Sequence, residues 1–257
     1  MSQMKSGAGR DFQDSVKSLH KVVSILGAFS TSRRSMSLAE IADASGFPRS
    51  TAHRLAASMR ELGLLDQDGQ RDRYRLGIKL FELGNTALAN MDLHREARPF
   101  IDALNQVSGH PVNLAVFDGR QAIVTHRVSA ESGTPLTLIE AAPVHCTGTG
   151  KAILAFQPPA KIDEITAEGL KRFTDTTITG MRKLKSELKL IRARGFAVDE
   201  GEHQPGIRCV GAPIRDRGGR AIAGISVSSP ARNLKKDQVP RLAKIVMHHA
   251  RLIEAKL

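Results

Sequence analysis

The segment PVHCTGTGKAILAF, residues 143–156, carries the residue types of an anion site directly before an apolar run that predicts a helix. Unpaired backbone N–H groups at a helix start attract phosphates and carboxylates. A nucleotide-binding phosphate loop requires a glycine five residues before its glycine–lysine pair and a hydroxyl side chain directly after the lysine. The chain has His145 and Ala152 at these two positions, so we do not expect nucleotide hydrolysis.

Two interpretations of this helix start remain open. Its backbone amides bind a small carboxylate, or Thr147 only caps the helix while Gly148 and Gly150 only allow close packing. The segment by itself favours the capping interpretation, and a polar strand elsewhere in the chain favours the ligand site.

That strand is AGISVSS, residues 223–229. Alternation places its isoleucine and valine on one face and Ser226 and Ser228 on the other, with the two hydroxyls about 7 Å apart. On the preceding strand, Cys209 and Gly211 share a face, which would bring a thiol beside the serines. If the apolar face packs in the core, the serine face lies either in solvent or on the floor of a pocket.

The other residues with catalytic or metal-binding side chains form no recognised pattern. Cys146 and Cys209 are too far apart for a redox or zinc pair, and no histidine stands at a ligand spacing. The sequence has no G-x-S-x-G motif and no nucleophile with a base and an orienting group. We therefore expect no metal, no cofactor and no enzymatic activity. The alternative is an enzyme that acts on a small acid and carries a basic nucleic-acid-binding N-terminal module.

The charge of the chain points to a polyanionic partner. The 257 residues carry a formal net charge of +12, which attracts nucleic acid. No stretch reaches the roughly 20 apolar residues of a membrane-spanning helix, and the N-terminal residues lack the apolar core of a secretory signal. We expect a cytoplasmic protein that has no membrane partner.

The N-terminal part of the chain predicts a helix-turn-helix. Apolar residues at helical spacing predict a first helix from Asp14. Ser37 and Glu40 form the reciprocal capping pattern of a second helix, which Gly46 ends. The sequence RSTAHRLAASMREL then predicts a third helix, and two short helices joined by a tight glycine turn are typical of the DNA-binding motif.

The third helix and the segment after it offer groups for DNA. Major-groove contacts are expected from the start of this helix, where the polar side chains are Arg49, Ser50, Thr51, His53 and Arg54. The segment GLLDQDGQRDRYRLG predicts a two-stranded wing that directs Arg71, Arg73 and Arg75 to the phosphate backbone. The alternative is a helical hairpin whose surface arginines never touch DNA.

The rest of the chain predicts a linker helix and an α+β domain. An apolar stripe from Leu80 to Met91 favours a helix that also packs against a second subunit, and Pro99 is expected to start a further helix. Alternating segments such as IRCVGAPIRD and RAIAGISVSS predict a largely antiparallel sheet. The predicted parts are a flexible tail (1–13), a winged helix-turn-helix (14–77), a linker and dimerisation helix (78–98) and an effector-binding domain (99–257).

Three segments together resemble the IclR family of bacterial transcription regulators. They are SLAEIADASGFPRSTAHRLAASMRELGLL, HCTGTGKAILAF and GFAVDEGEHQPGIRCVGAPIRDRGGRAIAGISVSSP, and the resemblance covers roughly residues 15–257. It implies a winged helix-turn-helix, a dimerising linker helix and a GAF-like antiparallel-sheet domain that binds a small organic, aromatic or sugar acid. It also implies a homodimer that can form a homotetramer on a palindromic double-stranded DNA operator.

Carried over by motif position, the resemblance implies a set of effector-binding residues. They are Gly148, Thr149, Asp199, Cys209, Ser226 and Ser228. The segment TLIEAAPVH departs from the family pattern, because it lacks the glycine and the basic residue often found before the Pro-x-His sequence. The resemblance implies a repressor that responds to a small organic acid and governs a catabolic operon.

Overall fold

The computed structural model describes residues 8–30, 32–67, 73–89, 91–129 and 140–257. The chain divides between Asn90 and Met91 into two compact units. Among the described residues, no helix is long and apolar enough to cross a bilayer. Within the same ranges, no three His, Cys, Asp or Glu side chains lie together as a metal site would require.

The first unit is a helix-turn-helix with a small three-stranded sheet. Its elements are α1 (Ala8–Gly27), β1 (Ser35–Ser37), α2 (Leu38–Ser45), α3 (Arg49–Glu61), β2 (Leu65–Gln67), β3 (Arg73–Leu76) and α4 (Ile78–Ala89). The antiparallel strands lie in the order β1-β3-β2. Helix α1 begins six residues before Asp14, so it extends into the segment that sequence patterning assigned to a tail.

Local signals in the sequence account for the turn between α2 and α3. The Ser37 hydroxyl accepts a hydrogen bond from the Glu40 N–H at 3.3 Å, and the Glu40 carboxylate accepts one from the Ser37 N–H at 2.7 Å. Gly46 ends α2 with φ of +71°, a left-handed conformation that favours glycine. Ile41 and Met59 are buried in a common core, so the capping and apolar patterns are confirmed.

The second unit is an antiparallel sheet with helices on both faces. Its elements are α5 (Asp92–Ser108), β4 (Val112–Phe117), β5 (Ala122–Val128), β6 (Glu140–Ala142), α6 (Gly148–Ala155), α7 (Pro159–Thr166), α8 (Met181–Arg194), β7 (Ala197–Glu200), β8 (Ile207–Arg215), β9 (Ala221–Pro230) and α9 (Val239–Glu254). The strand order is β6-β5-β4-β9-β8-β7. The predicted α+β class with an antiparallel sheet is confirmed.

The prediction that Pro99 starts a helix is wrong. Pro99 lies inside α5, which begins at Asp92. Proline removes one backbone hydrogen bond from a helix, but the buried side chains of Ala97, Ile101 and Leu104 pack against the sheet and α9. This tertiary packing stabilises the helix on both sides of the proline.

The two faces of the sheet have different partners. Ile225 and Val227 of β9 lie in the core beneath α5 and α9, as alternation predicted. Ser226 and Ser228 therefore face the opposite side, where α6 packs on β8 and β9. Ser226 is fully buried there, so the serine face does not lie in solvent.

Candidate functional site

A cavity of about 90 Å³ lies where the start of α6 meets the serine face of the sheet. Five of the six residues that sequence reasoning assigned to an effector site line it: Thr149, Asp199, Cys209, Ser226 and Ser228. The sixth, Gly148, does not line the cavity. We call this space the α6 cavity.

Strand register assembles the polar floor of the α6 cavity. Asn113 of β4 pairs with Arg127 of β5 on one side and with Ser226 of β9 on the other. One step along the sheet, Cys209 of β8 pairs with Ser228 of β9 and with Asp199 of β7. Directly paired residues project to the same face, so two neighbouring rows deliver six polar side chains to one place.

Glycines allow α6 to lie directly on this floor. A Cβ atom on Gly211 would stand 2.6 Å from the carbonyl carbon of Gly148, and one on Gly148 would stand 2.7 Å from the Cys209 sulfur. Thr147 caps the helix, because its hydroxyl accepts a hydrogen bond from the Gly150 N–H at 3.0 Å. Capping and close packing are thus both present at a helix start that also lines a cavity.

Hydrogen bonds tie the helix start and the sheet together. The Thr149 hydroxyl donates to the Ser226 hydroxyl at 2.7 Å inside the fold. The Glu202 N–H donates to the Asp199 carboxylate at 2.6 Å. Burial is the main cause that raises the pKa of Asp199 to about 6, so this carboxyl group is easier to protonate than an exposed one.

The permanent positive charge among the described lining residues is that of Arg127. Its Nε donates to the Asn113 side-chain oxygen at 2.6 Å, which fixes the guanidinium on the cavity wall. Burial raises the pKa of the Cys209 thiol to about 12, so the thiol is neutral at pH 7. The cavity therefore combines a cation with neutral hydrogen-bonding groups and one carboxyl group of raised pKa.

Lys151, the lysine of the GK pair, does not line this cavity. Its side chain is 1% exposed, donates to the Val198 carbonyl at 2.7 Å and forms an ion pair with Glu202. The Thr177 hydroxyl donates to the backbone carbonyl of Glu202 at 2.6 Å. Lys151 thus stabilises the segment that carries Asp199, and its charge is paired with Glu202 inside the protein.

The start of α3 presents polar side chains to solvent. Arg49, Ser50, His53 and Arg54 are exposed and Thr51 is half-buried. Ala52, Ala56 and Met59 on the other side of the helix are buried in the core. The five residues predicted to make major-groove contacts therefore lie away from the buried side of a packed helix.

The wing arginines are engaged within the first unit. Arg73 donates to the Ser35 carbonyl at 2.7 Å and forms an ion pair with Glu40 at 3.1 Å. Arg75 forms an ion pair with Asp66 at 2.7 Å, with both side chains about half exposed. Arg71 lies outside the described residues. Alternation located these side chains on the wing but gave no sign of their carboxylate partners.

Two protein-family models match the chain, one for each unit. Residues 18–69 match the model of the IclR helix-turn-helix domain, and residues 85–255 match the model of the bacterial transcriptional regulator IclR C-terminal domain.

The chain belongs to the IclR family.

Curated members of the IclR family resemble the chain over nearly its whole length. The HTH-type transcriptional regulator BhcR of Paracoccus denitrificans is 32% identical, over 95% of this chain and 88% of BhcR. The HTH-type transcriptional regulator KdgR of Escherichia coli is 31% identical, over 95% of this chain and 94% of KdgR. A crystal structure of an IclR homologue from Microbacterium hydrocarbonoxydans, complexed with 4-hydroxybenzoate, has a TM-score of 0.74 at 26% identity and covers 93% of this chain and 98% of that one.

Membership of the IclR family makes the chain a DNA-binding transcription regulator with an effector-binding C-terminal domain. The first unit contains its DNA-binding domain, and the second unit contains the α6 cavity. BhcR and KdgR, the two curated relatives named above, are both transcriptional regulators.

Sequence reasoning missed several residues that line the α6 cavity of this IclR-family chain. Asn113 is the one polar residue of the strand VNLAVF and Arg127 is one of three polar residues of AIVTHRV, but neither strand by itself shows which residues these side chains meet. His203 and Gln204 lie in the loop GEHQPG between β7 and β8, where no periodic pattern marks an inward direction.

Proposed function

We propose that the chain is a repressor of a catabolic operon and that a small organic acid bound in the α6 cavity changes its affinity for the operator. The observation that carries this proposal is the Arg127 guanidinium beside the hydroxyls of Thr149, Ser226 and Ser228 in a single cavity. A regulator of chromosomal genes acts in the cytoplasm. The related structure with bound 4-hydroxybenzoate supports an acid as the ligand class.

The size of the α6 cavity favours a short acid. Its volume of about 90 Å³ is below the about 150 Å³ of a cavity that holds a benzene ring. Hydroxyl, amide and thiol groups line it, so an oxygen-rich ligand satisfies more of them than a hydrocarbon. We therefore propose a short-chain hydroxy or oxo acid in preference to an aromatic acid.

A titration of the repressor–operator complex tests this ligand class. We expect short hydroxy or oxo acids to change operator affinity about tenfold or more, a typical allosteric coupling. Their primary amides should act much more weakly, because they carry no negative charge to pair with Arg127. The measurement is the fluorescence anisotropy of a labelled DNA fragment that contains the promoter of the gene for this protein. Equal action of acids and amides, or a response to 4-hydroxybenzoate alone, would contradict the proposed ligand.

We assign base contacts to the start of α3 and phosphate contacts to its arginines. Each phosphate contact releases a counterion, so Arg49→Ala and Arg54→Ala should each flatten the plot of log K against log salt by about one unit. Arg60→Ala is the matched control, since Arg60 is exposed at the far end of the same helix and bonds to Gln67 at 3.1 Å. If Arg49→Ala and Arg54→Ala leave the slope as unchanged as Arg60→Ala does, α3 makes no phosphate contacts.

We include the predicted wing arginines, Arg71, Arg73 and Arg75, in the phosphate contacts. Phosphate must compete with Glu40 for Arg73 and with Asp66 for Arg75. Arg73→Ala and Arg75→Ala should therefore each lower operator affinity less than Arg49→Ala does in the same titration.

We propose that the chain is a homodimer through α4, with tetramers on DNA, because a palindromic operator needs two reading helices. Ile78 and Phe81 of α4 are 71% and 60% exposed, which is unusual for large apolar side chains. Phe81→Glu should convert the dimer to a monomer of 27.9 kDa in analytical ultracentrifugation. Leu190→Glu, at an exposed apolar residue of α8, is the matched control. A Phe81→Glu dimer would exclude this face.

A further inference from the structure

A second cavity lies at the carboxyl end of α6, between α7 and α8, and has a volume of about 220 Å³. We call it the α7–α8 cavity. Its lining residues are all different from those of the α6 cavity. Helix α6 joins the two, because Thr149 in its first turn lines the first cavity and its last residue, Ala155, lines the second.

The floor of the α7–α8 cavity is apolar. It consists of the buried side chains of Ala155, Ile162 and Leu188, and Pro159 adds an apolar wall. Buried hydrocarbon at the base of a concave site favours an apolar ligand body. The cavity exceeds the about 150 Å³ that accommodates a benzene ring, so a ring with a short side chain fits.

The rim of the same cavity is cationic. It carries Lys185, Lys189 and Arg192, and of these only Lys185 has a carboxylate partner in the part of the chain that the structure describes, Asp163 at 2.6 Å. Arg192 donates to the carbonyls of Ala155 at 2.7 Å and Gln157 at 3.1 Å. These bonds fix the guanidinium at the rim without neutralising its charge.

We infer that the α7–α8 cavity is a second small-molecule site, which binds an amphipathic monoanion such as an aryl or alkyl carboxylate. The apolar body of the ligand contacts Ile162 and Leu188, and its carboxylate pairs with Lys189 and Arg192. This ligand class differs from the short, oxygen-rich acid proposed for the α6 cavity. The site stands on its own lining and does not depend on that assignment.

Methyl NMR of the full-length chain tests the site, with 3-phenylpropionate as the probe and 3-phenylpropan-1-ol as its neutral analogue. The Ile162 δ1 methyl resonance, identified by its loss in Ile162→Val, should shift on titration at up to about 1 mM acid. The alcohol should bind about tenfold more weakly, because it lacks the charge-assisted contacts. Lys189→Gln should weaken binding of the acid by a similar factor.

Lys183→Gln is the matched control, because Lys183 is exposed on α8 but does not line the cavity. It should leave binding of the acid within twofold of the parent chain, a difference of less than about 0.5 kcal/mol. An unmoved Ile162 methyl, equal affinity for acid and alcohol, or binding that disappears in Ser226→Ala/Ser228→Ala would overturn the assignment. An Ile162 methyl resonance that shifts with protein concentration and not with the probe would show that the cavity lies at an interface between copies of the chain. That result would also overturn the assignment.

Discussion

Lys151→Met is expected to lower the free energy of unfolding of the second unit by about 3–5 kcal/mol. Lys151 and Glu202 form an ion pair in which both side chains are buried. Removal of the lysine leaves the Glu202 carboxylate without its cation and removes one hydrogen bond from the Val198 carbonyl. Urea-induced unfolding, followed by a probe in the second unit, measures the difference.

The double variant Lys151→Met/Glu202→Met separates the charge from the packing. With both members of the ion pair removed, it should recover most of the lost stability and stay about 1 kcal/mol below the parent, because the Val198 carbonyl still lacks the hydrogen bond from Lys151. Lys161→Met is the matched control, since Lys161 pairs with the largely exposed Glu164 and should change stability by less than about 0.5 kcal/mol.

The pH dependence of the single variant has a definite sign. Burial raises the pKa of Glu202, and Lys151 opposes that effect. Without Lys151 the folded state holds a proton on Glu202 at a pH where the unfolded state has lost it, so stability rises as pH falls through the raised folded-state pKa towards the ordinary range of a glutamate. A deficit that is independent of pH, or a single variant within 1 kcal/mol of the parent, argues against a buried charge as the cause.

The winged helix-turn-helix was predictable because its signals are local. The Ser37–Glu40 capping pair and Gly46 fix the ends of α2 within ten residues of sequence. The alternation around Ser226 was equally local and gave the correct face. Tertiary packing overrode a local signal at Pro99, where buried neighbours hold a helix through the proline.

The remainder of the α6 cavity depends on which strands are neighbours. Asn113 reaches Ser226 because β4 pairs with β9, a strand more than 100 residues later in the chain. Arg127 enters only because β5 pairs with β4. No periodicity within a single strand carries this information, so the cation of the cavity could be located only in the folded chain.

Arg127→Met should weaken effector binding about 100-fold and leave the affinity of the ligand-free protein for its operator unchanged. Loss of one partner of an enclosed charge pair costs 2 kcal/mol or more in binding, and about 2.7 kcal/mol corresponds to 100-fold. Methionine preserves much of the length and apolar contact of the arginine stem, so the change removes the charge and the polar contacts of the guanidinium, among them the bond to Asn113. The measurement is isothermal titration with the acid that acts most strongly on the operator complex.

A control variant outside the α6 cavity and a serine variant within it test which groups bind the acid. Arg120→Met is the matched control, because Arg120 lies in the turn between β4 and β5 and pairs with the exposed Glu168. Ser226→Ala/Ser228→Ala should weaken the acid about tenfold, as expected for the loss of neutral hydrogen bonds. Retention of affinity within threefold in Arg127→Met would refute Arg127 as the anion partner. Because the operator affinity of the ligand-free variants is measured in parallel, a damaged effector cavity remains distinguishable from a chain that no longer binds DNA.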